Sequence, residues 1–199
     1  MTRRVLVATG NQHKLREFRE ILAPYGLAVV APVDVGYTPD VVEDADTFEG
    51  NAIKKARAGL AITGLWTIAD DSGIEARALA WQPGVYSARY AGEPCDDAAN
   101  NAKLVRELAA HADKLVRYRC VIALARPDAP TPTWSGTFAG EHIATPRGLG
   151  GFGYDPYVLV SELGKTVAEL SADEKHARSH RGQALRAFVA WLGEPGVCG

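Results

Sequence analysis

Short apolar runs alternate with amphipathic segments along the chain, and this alternation predicts an α/β protein. The apolar runs are rich in strand-forming residues and predict strands at 5–8, 28–35, 66–69, 74–79, 116–125 and 134–139. Apolar positions three or four residues apart predict helices at 14–25, 47–63, 95–110 and 179–192.

One face of each predicted helix is apolar and is expected to be buried. The four faces consist of Leu15, Phe18, Leu22 and Tyr25; of Phe48, Ala52, Ala56 and Leu60; of Ala98, Ala102, Val105 and Leu108; and of Leu185, Phe188 and Leu192. Asn51 lies inside the second helix, where an amide gains little intrinsically, so we expect it to face a functional site.

The strand predicted at 66–69 ends in two carboxylates, Asp70 and Asp71, which Ser72 and Gly73 follow. Strand ends lie at the rim of a sheet, where α/β proteins usually bind ligands. Two carboxylates there can bind a hard divalent cation or act as a base, and Gly73 lets the chain turn. The alternative interpretation is a polar turn without a chemical role.

Two further segments are candidates for anion binding. Residues 9–14 join the first strand to the first helix, and a helix N-terminus presents free backbone N–H groups to an anion. Thr9, Asn11 and Lys14 suit this role, but they also suit a plain loop in which Asn11 caps the helix. Residues 171–174 form a capping-box signature. Cations near a chain's end are usually a solvated face, but the Ser-His-Arg sequence at 179–181 stands at a helix start and suits anion binding better.

The segment 148–156 contains four glycines around two aromatic residues. Glycines allow the backbone to approach a ligand closely, while aromatic rings offer flat surfaces for stacking. A flexible surface loop is the alternative interpretation.

Composition narrows the class of protein. The chain has 199 residues, 47% hydrophobic and 23% charged, which predicts one globular domain over 1–199, long enough to bury a substantial core. The net charge of -2 argues against nucleic-acid binding. Cys95, Cys120 and Cys198 form no Cys-x-x-Cys pair, which argues against a structural zinc site. Three widely spaced cysteines also suit the reducing environment of the cytoplasm. No apolar run suits a signal peptide or a membrane span, so we expect a soluble protein without membrane contact.

Six motifs occur in order between Val5 and Leu192, and together they resemble the Ham1/RdgB family of non-canonical purine nucleoside triphosphate pyrophosphatases (the inosine triphosphatase family). The motifs are Thr9-Gly10-Asn11-x-x-Lys14, Phe48-x-x-Asn51-Ala52, Ala69-Asp70-Asp71-Ser72-Gly73, Val85-x-Ser87-Ala88-Arg89-Tyr90, Gly151-Phe152-Gly153-Tyr154-Asp155-Pro156 and Ser179-His180-Arg181.

This resemblance implies an elongated α/β fold with a central mixed sheet flanked by helices, and two lobes with a cleft between them, usually as a homodimer. It also implies Mg²⁺-dependent hydrolysis of inosine, deoxyinosine and xanthosine triphosphates (ITP, dITP and XTP). The products are the nucleoside monophosphate and pyrophosphate, and the reaction removes deaminated purines from the nucleotide pool.

The resemblance also implies roles for individual residues. Asp71 matches the general base and a metal ligand, Glu43 matches a second acidic residue at the metal, and Ser72 matches a substrate contact. The residues that match triphosphate-binding elements are Thr9, Gly10, Asn11, Gln12, His13, Lys14 and Lys175. The residues that match the nucleobase pocket are Phe152, Gly153, Tyr154, Asp155, His180 and Arg181.

Adjacent strand residues point to opposite faces, so only one of Asp70 and Asp71 can face the substrate. The resemblance selects Asp71 and leaves Asp70 as a structural partner. Many family members carry an acidic residue directly before the helix Asn, where this chain has Gly50, with Glu49 one place earlier. Both Glu43 and Glu49 are therefore candidates to complete the metal site.

Two other classes of function fit parts of the pattern. A regulatory module could bind a nucleotide without chemistry, but binding a polyanion alone does not favour a pair of carboxylates. A Maf-like pyrophosphatase could act on other modified or pyrimidine nucleotides. The elements at 152–155 and 179–181 favour the purine enzyme.

Overall fold

The computed structural model describes residues 3–194, which form eight strands and five helices joined by loops and short 3₁₀ turns. The strands are β1 (Arg3–Val7), β2 (Leu27–Val30), β3 (Trp66–Ala76), β4 (Gln82–Pro83), β5 (Leu115–Ala125), β6 (Thr133–His142), β7 (Val158–Val160) and β8 (Lys165–Thr166). The helices are α1 (Gln12–Leu22), α2 (Phe48–Thr63), α3 (Asp97–Leu108), α4 (Ala172–Arg178) and α5 (His180–Leu192).

The eight strands form one mixed sheet in the order β2-β1-β3-β5-β6-β7-β8, with β4 paired to β3. Strand β1 runs parallel to β2 and β3, whereas β7 is antiparallel to both β6 and β8. The predicted α/β class with a mixed sheet flanked by helices is confirmed. Among residues 3–194, no helix has the length and apolar character needed to cross a bilayer.

The chain divides into two compact units. The first contains the residues up to Asp71, Cys120–Gly136 and the residues from Arg181 onwards. The second contains Ser72–Arg119 and Thr137–His180. A single domain over 1–199 stays a prediction from the sequence.

In the first unit, helices cover both faces of the sheet. Val5 and Val7 of β1 point into a core shared with Phe18 of α1 and Phe188 of α5. Leu6 points the other way, towards α2, where a Cβ added at Gly59 would lie 3.2 Å from the Cδ2 atom of Leu6. Because β1 is buried on both faces, its sequence is continuously apolar rather than alternating.

The second unit has its own core. Ile74 of β3, Leu104 and Leu108 of α3, and Val116 of β5 lie in one buried cluster, which Val158 of β7 completes. The unit therefore buries its own apolar surface, as the first unit does.

The helix predicted at 47–63 is confirmed, and its ends have clear causes. The Thr47 hydroxyl accepts a hydrogen bond from the Gly50 N–H at the start of α2. Gly64 ends the helix in the left-handed conformation that glycine adopts readily. The capping box at 171–174 is also confirmed, at the start of α4.

The predicted bounds of the first helix and second strand need correction. Helix α1 begins at Gln12 because the Asn11 side chain caps it, and it ends at Leu22 before a 3₁₀ turn. The predicted burial of Tyr25 is therefore wrong, since 54% of this residue is exposed. Strand β2 ends at Val30 because Pro32 starts another 3₁₀ turn.

The predicted buried face of the third helix is wrong in part, although Leu108 is buried as expected. Ala98 and Ala102 are exposed, whereas Asn100 and Asn101 are buried. The Asn100 amide accepts a hydrogen bond from the Ala91 N–H at 2.7 Å and donates one to the Ala88 carbonyl at 2.9 Å. Helix α3 thus uses amides to satisfy buried loop backbone, a role that an apolar pattern does not reveal.

The most consequential correction concerns β3, which does not end at the carboxylates. It continues through Asp70, Asp71 and Gly73 as one strand of 11 residues, so the predicted turn at Gly73 is wrong. A Cβ at Gly73 would lie 2.3 Å from the Ser87 hydroxyl and 2.5 Å from the Gly84 carbonyl oxygen. Glycine occurs here because the neighbouring chain approaches closely, not because the strand bends.

We expect His142 of β6 to make the protein less stable in mild acid. Its ring is buried against Tyr157, its Nε2 atom has no hydrogen-bond partner among the described residues, and Lys114 is nearby. Burial, with a smaller contribution from Lys114, lowers the pKa of His142 to about 4. Between about pH 6.5 and 4 the unfolded chain therefore binds the extra proton, which costs about 3 kcal/mol of unfolding free energy.

Urea unfolding at pH 7 and pH 4 tests this expectation in wild type, His142→Gln and His111→Gln, the last being a control at an exposed histidine. The stability of His142→Gln should depend less on pH than that of the other two proteins. Equal pH dependence in all three would contradict the prediction.

Candidate active site

The candidate residues form two clusters, one within each unit. We call the first the carboxylate cluster, which consists of Lys14, Glu17, Glu43, Asn51, Lys55, Asp70, Asp71 and Arg181. We call the second the aromatic cluster, which consists of Tyr118, Phe152, Asp155, Lys175 and His180.

Asp70 is the buried centre of the carboxylate cluster. Its Oδ2 atom lies 3.0 Å from the Lys14 Nζ atom and 3.1 Å from the Arg181 Nη2 atom, and the Cys120 thiol lies 3.9 Å away. Burial alone would raise the pKa of Asp70, but Lys14, Arg181 and Lys55 together outweigh it and hold that pKa well below its usual range. Asp70 therefore remains ionised and anchors two cations.

Asp71 points to the opposite side of β3, as strand alternation requires. Its Oδ2 atom accepts a hydrogen bond from the Asn51 amide at 3.1 Å, and its Oδ1 atom lies 3.4 Å from the Lys55 Nζ atom. Burial and the charge of Glu43 raise the pKa of Asp71, while Lys55 opposes them. A carboxylate with a raised pKa is a better proton acceptor near neutral pH.

Lys55 joins the two acidic residues assigned to a metal. Its Nζ atom lies 2.9 Å from Glu43 Oε2 and 3.4 Å from Asp71 Oδ1, so both carboxylates converge on one cation. The sequence reasoning missed Lys55. Its position four residues after Asn51, on the same face of α2, was the signal that could have found it.

The donor set fits Mg²⁺ through Asp71 and Glu43. Within residues 3–194 no three or more His, Cys, Asp or Glu residues group as a metal cage. Mg²⁺ does not need one, because it usually takes one or two carboxylates, several waters and the phosphate oxygens of a substrate. The convergence of Asp71 and Glu43 on the Lys55 ammonium shows that their oxygens can face a cation together.

The predicted anion-binding segment at 9–14 has a defined local structure. The Asn11 side chain accepts hydrogen bonds from the His13 N–H at 2.9 Å and the Lys14 N–H at 3.2 Å, and the Thr9 hydroxyl accepts one from the Asn11 N–H. The capping role considered for Asn11 is therefore present. Residues 10–13 are exposed, so anion binding at this turn stays a prediction.

Asp155 organises the aromatic cluster. Its Oδ1 atom accepts a hydrogen bond from the Tyr118 hydroxyl at 3.1 Å. Its Oδ2 atom accepts one from the Phe152 N–H at 2.9 Å and contacts the Lys175 Nζ atom at 2.8 Å. Gly151 has φ +73°, and a Cβ there would lie 2.2 Å from Asp155 Oδ2, so this loop requires glycine at that position.

Lys175 and Tyr154 have contacts that the sequence did not predict. The Lys175 Nζ atom lies 4.9 Å from the centroid of the Phe152 ring, besides its ion pair with Asp155. Lys175 therefore lies beside the aromatic residues, and the triphosphate role implied for it stays a prediction. The Tyr154 hydroxyl donates to the buried Ser87 carbonyl at 2.8 Å, so the half-exposed Phe152 ring offers the better stacking surface.

His180 and Arg181 are neighbours in sequence but belong to different units. The His180 ring stacks on Tyr118 with 5.1 Å between ring centroids. Arg181 is only 2% exposed, and its guanidinium contacts the carboxylates of Asp70 and Glu17. These contacts favour a structural role for Arg181, and its implied contact with a nucleobase stays a prediction.

Gly153, Ser72 and the cysteines are the other residues that the sequence singled out. Gly153 has its N–H 3.1 Å from an Asp97 oxygen, and its carbonyl accepts from the Asn101 amide. Ser72 is half-exposed on β3. Cys95 is exposed and Cys120 is buried, both as free thiols, while Cys198 lies outside the described residues.

The sequence is similar to that of known proteins over nearly its whole length. Residues 5–191 match the model of the Ham1 family. The chain is similar to the dITP/XTP pyrophosphatase of Ralstonia nicotianae, with 53% identity over 195 residues and 96% of each chain covered. It is also similar to the dITP/XTP pyrophosphatase of Geobacter sulfurreducens, with 47% identity and 98% of each chain covered.

Solved structures give the same result. The Ham1 protein of Staphylococcus aureus is 39% identical, with a TM-score of 0.87 and 96% of this chain and 98% of that chain covered. A HAM1 protein from Coxiella burnetii is 39% identical with a TM-score of 0.88 over the same shares.

Proposed function

The chain belongs to the Ham1 family, and from that premise we propose that it hydrolyses non-canonical purine nucleoside triphosphates, namely ITP, dITP and XTP, to the nucleoside monophosphate and pyrophosphate. The observation that carries this proposal is Asp71, a buried carboxylate with a raised pKa that shares Lys55 with Glu43. The names of relatives 53% and 47% identical support the same reaction.

Asp71 is the proposed base. Hydrolysis between the α and β phosphorus needs a water that gives up a proton as it attacks. Asp71 accepts that proton, and the hydrogen bond from Asn51 fixes the orientation of its carboxylate. Lys55 lies close enough to stabilise the ionised form before the reaction.

The charges of the carboxylate cluster support a divalent cation in the reaction. The cluster contains three cations and four carboxylates, so it has no surplus positive charge for a triphosphate. Mg²⁺ held by Asp71 and Glu43 would supply that charge and act as a Lewis acid on phosphate oxygens. Lys14, held by Asp70, is the proposed protein cation for the phosphate chain. The turn at 9–13 and Ser72 are proposed as further phosphate contacts.

The aromatic cluster is proposed to recognise the base. Phe152 offers a stacking face, and His180 and Lys175 offer donors to the 6-keto oxygen of inosine or xanthosine. Adenine carries a 6-amino donor instead, and two buried donors facing each other lose their hydrogen bonds. Sites built on such hydrogen bonds can discriminate by roughly 10⁴–10⁵-fold.

A substrate screen with isotope labelling tests the proposed reaction. Purified protein with Mg²⁺ is given ITP, dITP, XTP, GTP and ATP in water enriched in ¹⁸O. We expect ITP, dITP and XTP to exceed ATP widely in kcat/KM, ¹⁸O to enter the nucleoside monophosphate, and chelation of the metal to stop turnover.

Two outcomes would reject the proposal. Release of orthophosphate as the first product would mean that the γ-phosphate is cleaved. Comparable kcat/KM for all five nucleotides would indicate a generic nucleotide pyrophosphatase.

The proposal extends to the setting of the enzyme. We propose a cytoplasmic homodimer that removes deaminated purine nucleotides before polymerases use them, with no role for nucleic acid or membrane as a partner. The resemblance of the six motifs supports this setting. Light scattering after size-exclusion chromatography tests the dimer directly.

A further inference from the structure

Tyr118 of β5 connects the two sides of the aromatic cluster. Its ring stacks on the His180 ring, with 5.1 Å between centroids and 13° between planes. Its hydroxyl donates to Asp155 Oδ1 at 3.1 Å. No motif in the sequence singles out Tyr118. It nevertheless contacts His180, a proposed hydrogen-bond donor to the purine, and Asp155, whose carboxylate binds the backbone N–H of Phe152.

The direction of the Tyr118 hydrogen bond is fixed. The side chain is buried, with 7% of the residue exposed. Burial first, and then the Asp155 charge, raise the pKa of Tyr118 well above its usual value, so the hydroxyl keeps its proton and donates. Asp155 uses its other oxygen for the Phe152 N–H and the Lys175 ammonium.

We propose that Tyr118 is a positioning residue for recognition of the purine base, an inference that rests on the proposed function. Its ring fixes the plane of the His180 imidazole by stacking. Its hydroxyl holds Asp155, which in turn holds the backbone of Phe152 and the ammonium of Lys175. Tyr118 itself need not touch the substrate.

This arrangement predicts an effect on selectivity more than on chemistry. A hydrogen bond weakens steeply when its donor is misaligned, so a loosened His180 or Lys175 loses contact with a keto oxygen. ATP offers no such oxygen and has little to lose. Removing the Tyr118 contacts should therefore reduce the preference for keto purines through KM, while kcat, which depends on Asp71, changes little.

The first test compares Tyr118→Phe with Tyr157→Phe. Tyr157 stacks on His142 in the same unit, with 6.1 Å between centroids, and so provides a matched tyrosine–histidine pair outside the cluster. In Tyr118→Phe we expect the ratio of kcat/KM for ITP over ATP to fall about tenfold, the size of one hydrogen bond to a charged group. The fall should come from KM for ITP, and Tyr157→Phe should keep the wild-type ratio.

The second test uses Tyr118→Leu and does not depend on activity. Loss of the stacked ring should shift the imidazole C–H signals of His180 in the NMR spectrum of the free protein, whereas Tyr118→Phe should leave them nearly in place. A spectrum of His180→Gln assigns those signals. The selectivity ratio should fall further in Tyr118→Leu than in Tyr118→Phe.

The outcomes separate the two proposals. If wild type prefers ITP over ATP but both Tyr118 variants keep that ratio within twofold, the role of Tyr118 is overturned and the proposed function stands. Unshifted His180 signals in a folded Tyr118→Leu variant would also overturn it. If wild type hydrolyses none of the nucleotides, the proposed function fails, and the selectivity role of Tyr118 fails with it.

Discussion

Asp71→Asn is expected to lower kcat for ITP by roughly 10²–10⁴-fold, the usual loss for a missing general base. The amide has nearly the same shape, so Asn51 and Lys55 keep a partner of the same size. It cannot accept the proton of the attacking water, and it is a poorer ligand for Mg²⁺ than a carboxylate. Steady-state kinetics, with nucleotide affinity measured by calorimetry, separate the lost chemistry from lost binding.

The matched control for Asp71 is Asp44→Asn, which removes an exposed carboxylate that pairs with Lys54 near the start of α2. This variant should retain wild-type turnover. In wild type, kcat/KM should fall at acid pH as Asp71 takes up a proton, because the protonated form cannot act as a base. The residual rate of Asp71→Asn should lack that acid limb. Turnover within a few-fold of wild type would remove Asp71 from its assigned role.

Arg181→Met is expected to lower the free energy of unfolding by about 3–5 kcal/mol, the cost of removing one partner from a buried ion pair. Asp70 and Glu17 would each lose a cation, and Asp70 would keep Lys14 as its main partner. Chemical denaturation at pH 7 measures the loss. Arg186→Met, at an exposed arginine of the same helix, should cost little.

A double variant distinguishes charge from packing at this position. Combining Arg181→Met with Glu17→Gln removes one of the two carboxylate charges that have lost the guanidinium, and it should recover part of the lost stability. The stability that Asp70 contributes also depends on pH. Because its folded pKa lies below the unfolded value of about 4, this contribution is present above pH 4 and is lost as the pH falls further. If Arg181→Met is as stable as Arg186→Met, the ion pairs of Arg181 make no net contribution to the free energy of unfolding.

The elements that the sequence predicted well are those with local causes. Helix α2 has a hydroxyl cap at Thr47, an apolar stripe and a terminal glycine, and all three act within a few residues. Strand β5 alternates polar and apolar residues up to Cys120 and is then continuously apolar to Ala125, as a strand should where it becomes buried on both faces. Such signals are contained in short windows of sequence.

Two of the errors, at Gly73 and in helix α3, come from contacts with residues outside the local window of sequence. Gly73 resembles a turn glycine until Ser87, 14 positions later, is seen to occupy the space of its missing side chain. Asn100 breaks the apolar face of α3 because it binds loop backbone at Ala88 and Ala91. Neither partner can be read from the window that surrounds the residue.

The residues of the candidate site also differ in how far they could be predicted from the sequence. Residues in compact motifs, such as Asp71 and Phe152, could be selected from the sequence by resemblance. Lys55 was missed although its spacing from Asn51 on α2 pointed to it. Tyr118 could not be selected, because its partner Asp155 lies 37 positions away in the sequence. Arg181 shows the reverse difficulty, since its motif suggested a ligand while its contacts are with carboxylates of the protein.

Because Cys120 is buried, its reactivity can report how often the core of the first unit unfolds. Burial and the neighbouring Asp70 raise the pKa of this thiol to about 12, so it is both hidden and protonated at neutral pH. Alkylating reagents attack the thiolate, so they should modify Cys120 only in molecules whose first unit has come apart. Timed labelling followed by peptide mapping would then read out how often the core around Asp70 is breached, without any engineered probe.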